Sequence, residues 1–184
     1  MDTNKLRKSL EKFAFETMYS GNYRLLEFTV SEGKSPWKKK QVSFIVPNKD
    51  FEIPDRKEPT KMKTMFTSEE AFEIQEQGKD FGLRLPRAHE WRGLGYWITH
   101  EGEYVKKFNL VHAGHTWENT GIPQTQDGGA YYWSGSSDKT REHVRVMTLL
   151  EDGTFDIKFR SPDESMRLRL IIDPVLLKDF LKNC

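Results

Sequence analysis

Three side chains of types that bind metal ions lie close together in the middle of the chain. His112 and His115 are three positions apart, and Glu118 follows after the same interval. Two imidazoles and a carboxylate can hold zinc if they converge on one point. Convergence at this spacing requires a helix, whereas Gly114 and the surrounding aromatic residues favour a strand and a turn. A metal-dependent enzyme using these three residues is kept as the first alternative function. Because a strand and a turn would not bring them together, we expect no metal ion.

A second pair could transfer protons. His89 and Glu90 combine an imidazole with a carboxylate, but adjacent residues of a helix point about 100° apart. We expect Glu90 to have a structural role instead, accepting hydrogen bonds from backbone amides or from an arginine such as Arg84 or Arg169. The hydroxyl-rich run 134–137 has no identifiable base, and no nucleophile elbow or phosphate-binding glycine loop is present. The sequence predicts that the protein is not an enzyme.

Positive charge is concentrated in the first part of the chain. Residues 1–66 hold 14 basic and 9 acidic side chains, whereas the whole chain has a net charge of only +1. The basic residues include the run 38–40 behind Trp37, together with Lys57, Lys61 and Lys63. These cations could attract phosphate, which makes a nucleic-acid-associated factor the second alternative. The long basic stripe and stacked aromatics of such proteins are missing, so we expect a solvated loop and no nucleic-acid partner.

Length and composition limit the class of protein. A chain of 184 residues can bury one core, alone or with an appendage. No apolar run approaches the roughly 20 residues that span a bilayer, and charges interrupt residues 1–20 where a secretory leader would be apolar. The single cysteine, Cys184, excludes an internal disulfide and a multi-cysteine metal cage. We expect no membrane insertion and a cytoplasmic or virion-associated protein.

The N-terminal part should contain a helix and a hairpin. A helix over residues 4–19, capped by Asp2 or Thr3, is predicted by apolar residues three and four positions apart, namely Leu6, Leu10, Phe13, Ala14 and Met18. Two alternating segments then predict strands, the first with Tyr23, Leu25, Phe28 and Val30 and the second with Val42, Phe44 and Val46. Residues 31–40 should connect them, and the proline-containing segment 47–64 reads as a linker.

The next elements are marked by local signals. Thr67 and Glu70 form the pattern of a capping box, in which each side chain accepts a bond from the other residue's backbone amide. A short strand should end at Pro86, which lacks an amide hydrogen, and a helix should begin at Arg87 or Ala88. Trp91 lies one helical turn further on, where its ring can pack on the buried face.

The C-terminal part should consist of loops and short strands. Residues 103–137 read as a loop region that returns through an aromatic strand over 131–134. Asp152-Gly153 predicts a turn between two alternating strands, and residues 167–172 supply a closing strand. Asp173 and Pro174 should start a last helix over residues 175–181.

Four of these segments, in this order, resemble the Fibrobacter succinogenes major paralogous domain family, a branch of the C-type lectin-like fold related to the formylglycine-generating enzymes. They are the segment from Leu85 to Trp91, Val111 to His115, Tyr132 to Ser137 and Met166 to Ile171. The resemblance covers residues 70–174. It implies an α+β C-type lectin-like domain over residues 67–184, with short antiparallel strands, flanking helices and long loops. Residues 1–66 would then form an N-terminal helix and β-hairpin appendage with a linker.

The chain departs from two activities of this superfamily. Formylglycine-generating oxidases use a pair of cysteines to bind copper, which a single terminal cysteine cannot provide. Sugar-binding C-type lectins hold calcium with a characteristic loop and a Trp-Asn-Asp strand. This chain contains similar residues in a different arrangement, namely Trp117-Glu118-Asn119 and Gln126-Asp127. We therefore expect no cofactor.

The remaining interpretation is a non-catalytic binding or structural module of bacterial or phage origin, whose loop region contacts a protein or carbohydrate ligand. The predicted contact residues are Trp117, Glu118, Asn119, Tyr131 and Tyr132, because tyrosine and tryptophan give large contact area at small entropic cost. Trp91 and Trp133 are assigned to the core instead. The N-terminal helix and hairpin are expected to serve attachment or assembly into a homo-oligomer.

Overall fold

A computed structural model describes residues 2–21, 23–31, 39–55, 57–58, 60–100, 115–117, 123–124, 129–137, 143–150 and 152–175. These residues form a mixed α+β fold with three α-helices and several antiparallel sheets. The helices are α1 (Thr3–Ser20), α2 (Ser68–Gly78) and α3 (Ala88–His100). The strands are β1 (Tyr23–Ser31), β2 (Lys39–Pro47), β3 (Ile53–Pro54), β4 (Met62–Lys63), β5 (Leu83–Arg84), β6 (His115–Trp117), β7 (Pro123–Gln124), β8 (Ala130–Ser137), β9 (Val144–Leu149), β10 (Phe155–Arg160), β11 (Glu164–Ser165) and β12 (Ile171–Ile172).

Helix starts follow the local signals in the sequence. The Asp2 carboxylate accepts bonds from the Asn4 and Lys5 amides at the start of α1. Gly21 follows the helix in the left-handed conformation, with φ of 65°. The capping box of α2 is confirmed, since the Glu70 amide donates to Thr67 and the Thr67 amide donates to Glu70. α3 begins at Ala88, as predicted from Pro86, and continues to His100.

The N-terminal hairpin is longer than expected and forms one side of the main sheet. β1 and β2 pair from Tyr23 opposite Pro47 to Ser31 opposite Lys39, so the strands include the ends of the predicted loop. Leu26 is buried, while Leu25, one of the apolar residues that marked the predicted strand, is 57% exposed. The sheet order is β1-β2-β12-β5, in which β12 pairs with both β2 and β5.

The packing also corrects the expected division at residue 66. The hairpin pairs with the C-terminal strand β12, and the buried face of α1 belongs to the same hydrophobic cluster as α2 and β8. That cluster includes Leu6, Leu10, Phe13, Ile74, Trp133 and Leu168. The described part of residues 1–66 therefore contributes to the core rather than forming an appendage, because its apolar faces pack against the rest of the chain.

A second sheet has the order β10-β9-β8. Its β9–β10 hairpin turns at Gly153, which has φ of 83°, and the Asp152 carboxylate accepts a bond from the Thr154 amide. This confirms the predicted Asp152-Gly153 turn. Two smaller sheets complete the described fold, one with the order β11-β6-β7 and one formed by β3 and β4.

The closing segment of residues 166–172 joins several elements. Met166 bridges to Phe66, Arg167 to Tyr132 and Leu168 to Phe51 before the chain enters β12. The expected strand over 167–172 is thus formed as isolated bridges followed by a short ladder. After it, the Asp173 carboxylate accepts a bond from the Val175 amide, and the rest of the predicted last helix lies outside the described residues.

Candidate functional site

The start of α3 is fixed by a buried ion pair. Glu90 is 2% exposed and accepts bonds from both terminal nitrogens of Arg84 and from the Arg87 amide, each 2.7 Å long. The structural role predicted for Glu90, with Arg84 as its partner, is confirmed. His89 is exposed and lies on another side of the helix from Glu90.

Arg84 also pairs with a second carboxylate, that of Asp173, the residue after β12. Its Nε donates to Asp173 Oδ2 at 3.0 Å, and the Asp173 amide donates to the Gly82 carbonyl at 2.9 Å. Burial acts against the charge of Arg84, but hydrogen bonds and charge attraction from Glu90 and Asp173 outweigh it and raise the pKa of the guanidinium. The three side chains form a clamp, the Arg84–Glu90–Asp173 clamp, that ties β5, α3 and the residue after β12 together.

The hydroxyl-rich run of β8 caps α3 from a distance. Ser136 Oγ accepts a bond from the Ala88 amide at 3.1 Å, and Ser134 Oγ donates to the Pro86 carbonyl at 3.1 Å. The Gly135 amide donates to the same carbonyl at 2.9 Å. These hydroxyls therefore satisfy backbone groups at a helix start, which the sequence could not show because cap and helix are far apart in the chain.

A second buried charge cluster, missed by the sequence analysis, lies beside β8. Asp50 Oδ1 is 2.6 Å from Arg169 Nη2, and its Oδ2 accepts bonds from Tyr132 Oη at 3.0 Å and Arg167 Nη1 at 3.4 Å. Arg169 also donates to the Pro47 carbonyl at 2.7 Å. Burial raises the pKa of Asp50 above its usual range, and the guanidinium of Arg169 counteracts that rise.

Tyr131 and Tyr132 do not form a recognition surface, and that prediction is wrong. Their side chains are 1% and 0% exposed. Successive residues of a strand point to opposite faces, and β8 is covered on both: Tyr131 and Trp133 belong to one hydrophobic cluster and Tyr132 to the other. The Trp91 and Tyr132 rings lie 5.8 Å apart, and the core assignments of Trp91 and Trp133 are confirmed.

Trp117 lies on β6, a strand attached to the core. Trp117 pairs with Glu164 and Thr116 with Ser165 of β11, and β11 leads directly into the closing segment. On its other side β6 pairs with β7. Glu118 and Asn119 lie outside the described residues, so Trp117 is the one member of this set whose backbone position is described.

The residues of the two alternative functions are only partly described. His115 lies on β6 opposite Gln124, which is a strand position, while His112 and Glu118 lie outside the described residues, as does Gln126-Asp127. Within the described ranges, no three His, Cys, Asp or Glu side chains are grouped closely enough to hold a metal ion. Among the basic residues, Lys61 pairs with Glu58 and Lys63 with Glu70.

The described helices do not combine the length and apolar composition that crossing a bilayer requires. Comparisons of the chain with protein-family models, curated proteins and solved structures gave no match.

Proposed function

We propose that the protein is a non-catalytic binding or structural module, and that it uses a C-type lectin-like scaffold to present residues 101–129 to a protein or carbohydrate ligand. Trp117, Glu118 and Asn119 are the proposed contact residues. Tyr131 and Tyr132 are left out because they are buried.

The observation that supports this proposal is that the two elements flanking the presented segment, α3 and β8, are bonded to each other. α3 ends at residue 100 and β8 begins at residue 130, and the two elements are joined at several points. Ala88 donates to Ser136, Gly135 donates to Pro86, and the Trp91 ring nitrogen donates to the Trp133 carbonyl at 3.4 Å. Connections between elements of a stable core tolerate sequence change better than the elements do, which suits recognition.

Buried charges are consistent with a structural use of the polar residues in the core. Glu90 and Asp173 both pair with Arg84, and Asp50 pairs with Arg169. Side chains that are held in this way stabilise a frame and are poorly placed to exchange protons with a substrate. A bacterial cell or a virion is the proposed setting.

The test compares two variants in which an aromatic side chain is removed. Labelled wild-type protein, Trp117→Ala and Phe159→Ala would be applied to an immobilised glycan panel and to a panel of intact bacterial cells. Phe159 is the matched control, since it is an exposed aromatic residue on β10, outside the proposed surface. We expect Trp117→Ala to unfold at the wild-type temperature and to lose about tenfold or more in affinity, whereas Phe159→Ala binds normally.

Two results would contradict the proposal. Equal binding by wild type and Trp117→Ala would remove the presented segment from recognition. A large fall in the unfolding temperature of Trp117→Ala would show that this ring belongs to the core.

A further inference from the structure

A groove lies beside the C-terminal turns of α1, outside the segment proposed above for recognition. Its volume is about 530 Å³, within the range of small-molecule sites. We call it the α1 groove and define it by Phe15, Thr17, Tyr19, Asn48 and Lys49. The first three residues are on α1, and the last two form the bend that follows β2.

Two aromatic rings stand exposed at the groove. Phe15 is 60% exposed and Tyr19 is 82% exposed, and both lie off the buried stripe of α1. They are four residues apart, which places them one above the other on the helix, with ring centroids 5.0 Å apart and planes inclined by 21°. Because the two rings already stack on each other, they lose little side-chain entropy when a ligand packs against them.

Two enclosed oxygens beside these rings have no hydrogen-bond partner. Thr17 is 2% exposed, and neither its Oγ1 nor Asn48 Oδ1 bonds any other group. Both residues line the groove. Leaving a buried polar atom unsatisfied costs free energy, so a ligand group that reaches these oxygens would relieve an existing penalty.

The charges at the groove balance. Lys49 Nζ bonds Glu16 Oε2 at 2.9 Å, and the ammonium also lies 5.5 Å from the centre of the Phe13 ring. An anion would meet the Glu16 carboxylate and a cation would meet Lys49, so neither gains from the pair as a whole. A purely apolar ligand would leave the Thr17 and Asn48 oxygens unsatisfied.

We propose that the α1 groove is a binding site for an uncharged saccharide. One face of a sugar ring carries only C–H groups and packs on the Tyr19 and Phe15 rings, while its hydroxyls, which both donate and accept, bond Thr17 and Asn48. The Asn48 oxygen breaks no bond when its amide turns toward the ligand. The site uses no residue of the segment 101–129 and does not depend on the function proposed for it.

The experiment is a titration of ¹⁵N-labelled full-length protein with the methyl glycosides of glucose, galactose and N-acetylglucosamine and with their β-linked disaccharides, followed by amide chemical shifts. We expect saturable shifts confined to residues 15–20 and 48–49 for at least one sugar. Tyr19→Ala and Asn48→Ala should each weaken that binding about tenfold. Phe159→Ala, the exposed aromatic control, should bind as the wild type does.

Four results would overturn the inference. The first is the absence of saturable shifts with every sugar, and the second is binding that Tyr19→Ala leaves unchanged. The third is concentration-dependent association of the sugar-free protein in sedimentation velocity that Tyr19→Ala abolishes, because the aromatic pair would then contact a second copy of the chain. Since Tyr19 and Phe15 are exposed, their alanine variants should keep the wild-type unfolding temperature, and a fall would also contradict the assignment.

Discussion

Replacing Glu90 with Gln would test whether the Arg84–Glu90–Asp173 clamp holds α3 in place. Glutamine keeps the size of the side chain but removes the charge that faces Arg84, whose side chain is only 14% exposed. Breaking a buried ion pair by removing one partner costs about 3 to 5 kcal/mol. Asp173 still bonds Arg84 in the variant, so some of the charge stays compensated, and we expect a loss near the lower value, about 3 kcal/mol.

The measurement is urea unfolding of the wild type, Glu90→Gln, Asp173→Asn and Asp80→Asn at neutral pH. Asp80 is the matched control, because it forms a 2.6 Å ion pair with Arg7 in which both side chains are about half exposed. Exposed pairs contribute about 0 to 1 kcal/mol. Asp173 makes one bond to Arg84 and is partly exposed, so its variant should fall between the two.

The relative losses of unfolding free energy in these variants decide whether the clamp stabilises α3. If Glu90→Gln costs no more than Asp80→Asn, the clamp does not stabilise the start of α3. The double variant Arg84→Met/Glu90→Leu gives a second check. It should lose less unfolding free energy than the single variants Arg84→Met and Glu90→Leu lose together, because removing both charges leaves neither one buried without its partner.

Three further outcomes are expected. Trp91→Ala should lower the free energy of unfolding by about 3 to 5 kcal/mol in urea melts, since the buried ring packs against Tyr132 and its removal leaves a cavity. Thr67→Ala should cost about 1 kcal/mol through loss of the α2 cap, and an unchanged urea midpoint would argue against the capping box. Burial raises the pKa of Asp50 in the folded state, so its contribution to stability is fully present below its unfolded pKa and is lost as pH rises through the folded pKa. The stability difference between the wild type and Asp50→Asn should therefore shrink with rising pH, and a difference that grows would show that Arg169 outweighs burial.

Features determined by a few neighbouring residues could be predicted from the sequence. The Thr67 cap, the helix that follows Pro86 and the Asp152-Gly153 turn all arise from backbone groups within about one turn of the named residue. The partner of Glu90 was also predictable, because Arg84 is only six positions away. Each of these features depends on interactions between residues close in sequence and does not require contacts with distant parts of the chain.

Features that depend on contacts across the chain could not be predicted in this way. Asp50 and Arg167 are 117 positions apart, and nothing near either residue indicates the other. Tyr131 and Tyr132 are predicted contacts because tyrosine suits recognition surfaces, whereas β8 is covered on both sides. On β1, Leu25 and Leu26 are adjacent and equally apolar, so the choice of buried face was made by the packing of the sheet.

The position of β12 between β2 and β5 has a consequence for how this protein is made. The N-terminal hairpin can form early, but the inner edge of β2 stays open until the ribosome has released residue 172. During that interval an apolar strand edge is available to other nascent chains, and pairing over such a long sequence separation is slow. A chain interrupted before β12 should therefore aggregate rather than persist as a smaller folded product, and holdase chaperones should bind it during synthesis.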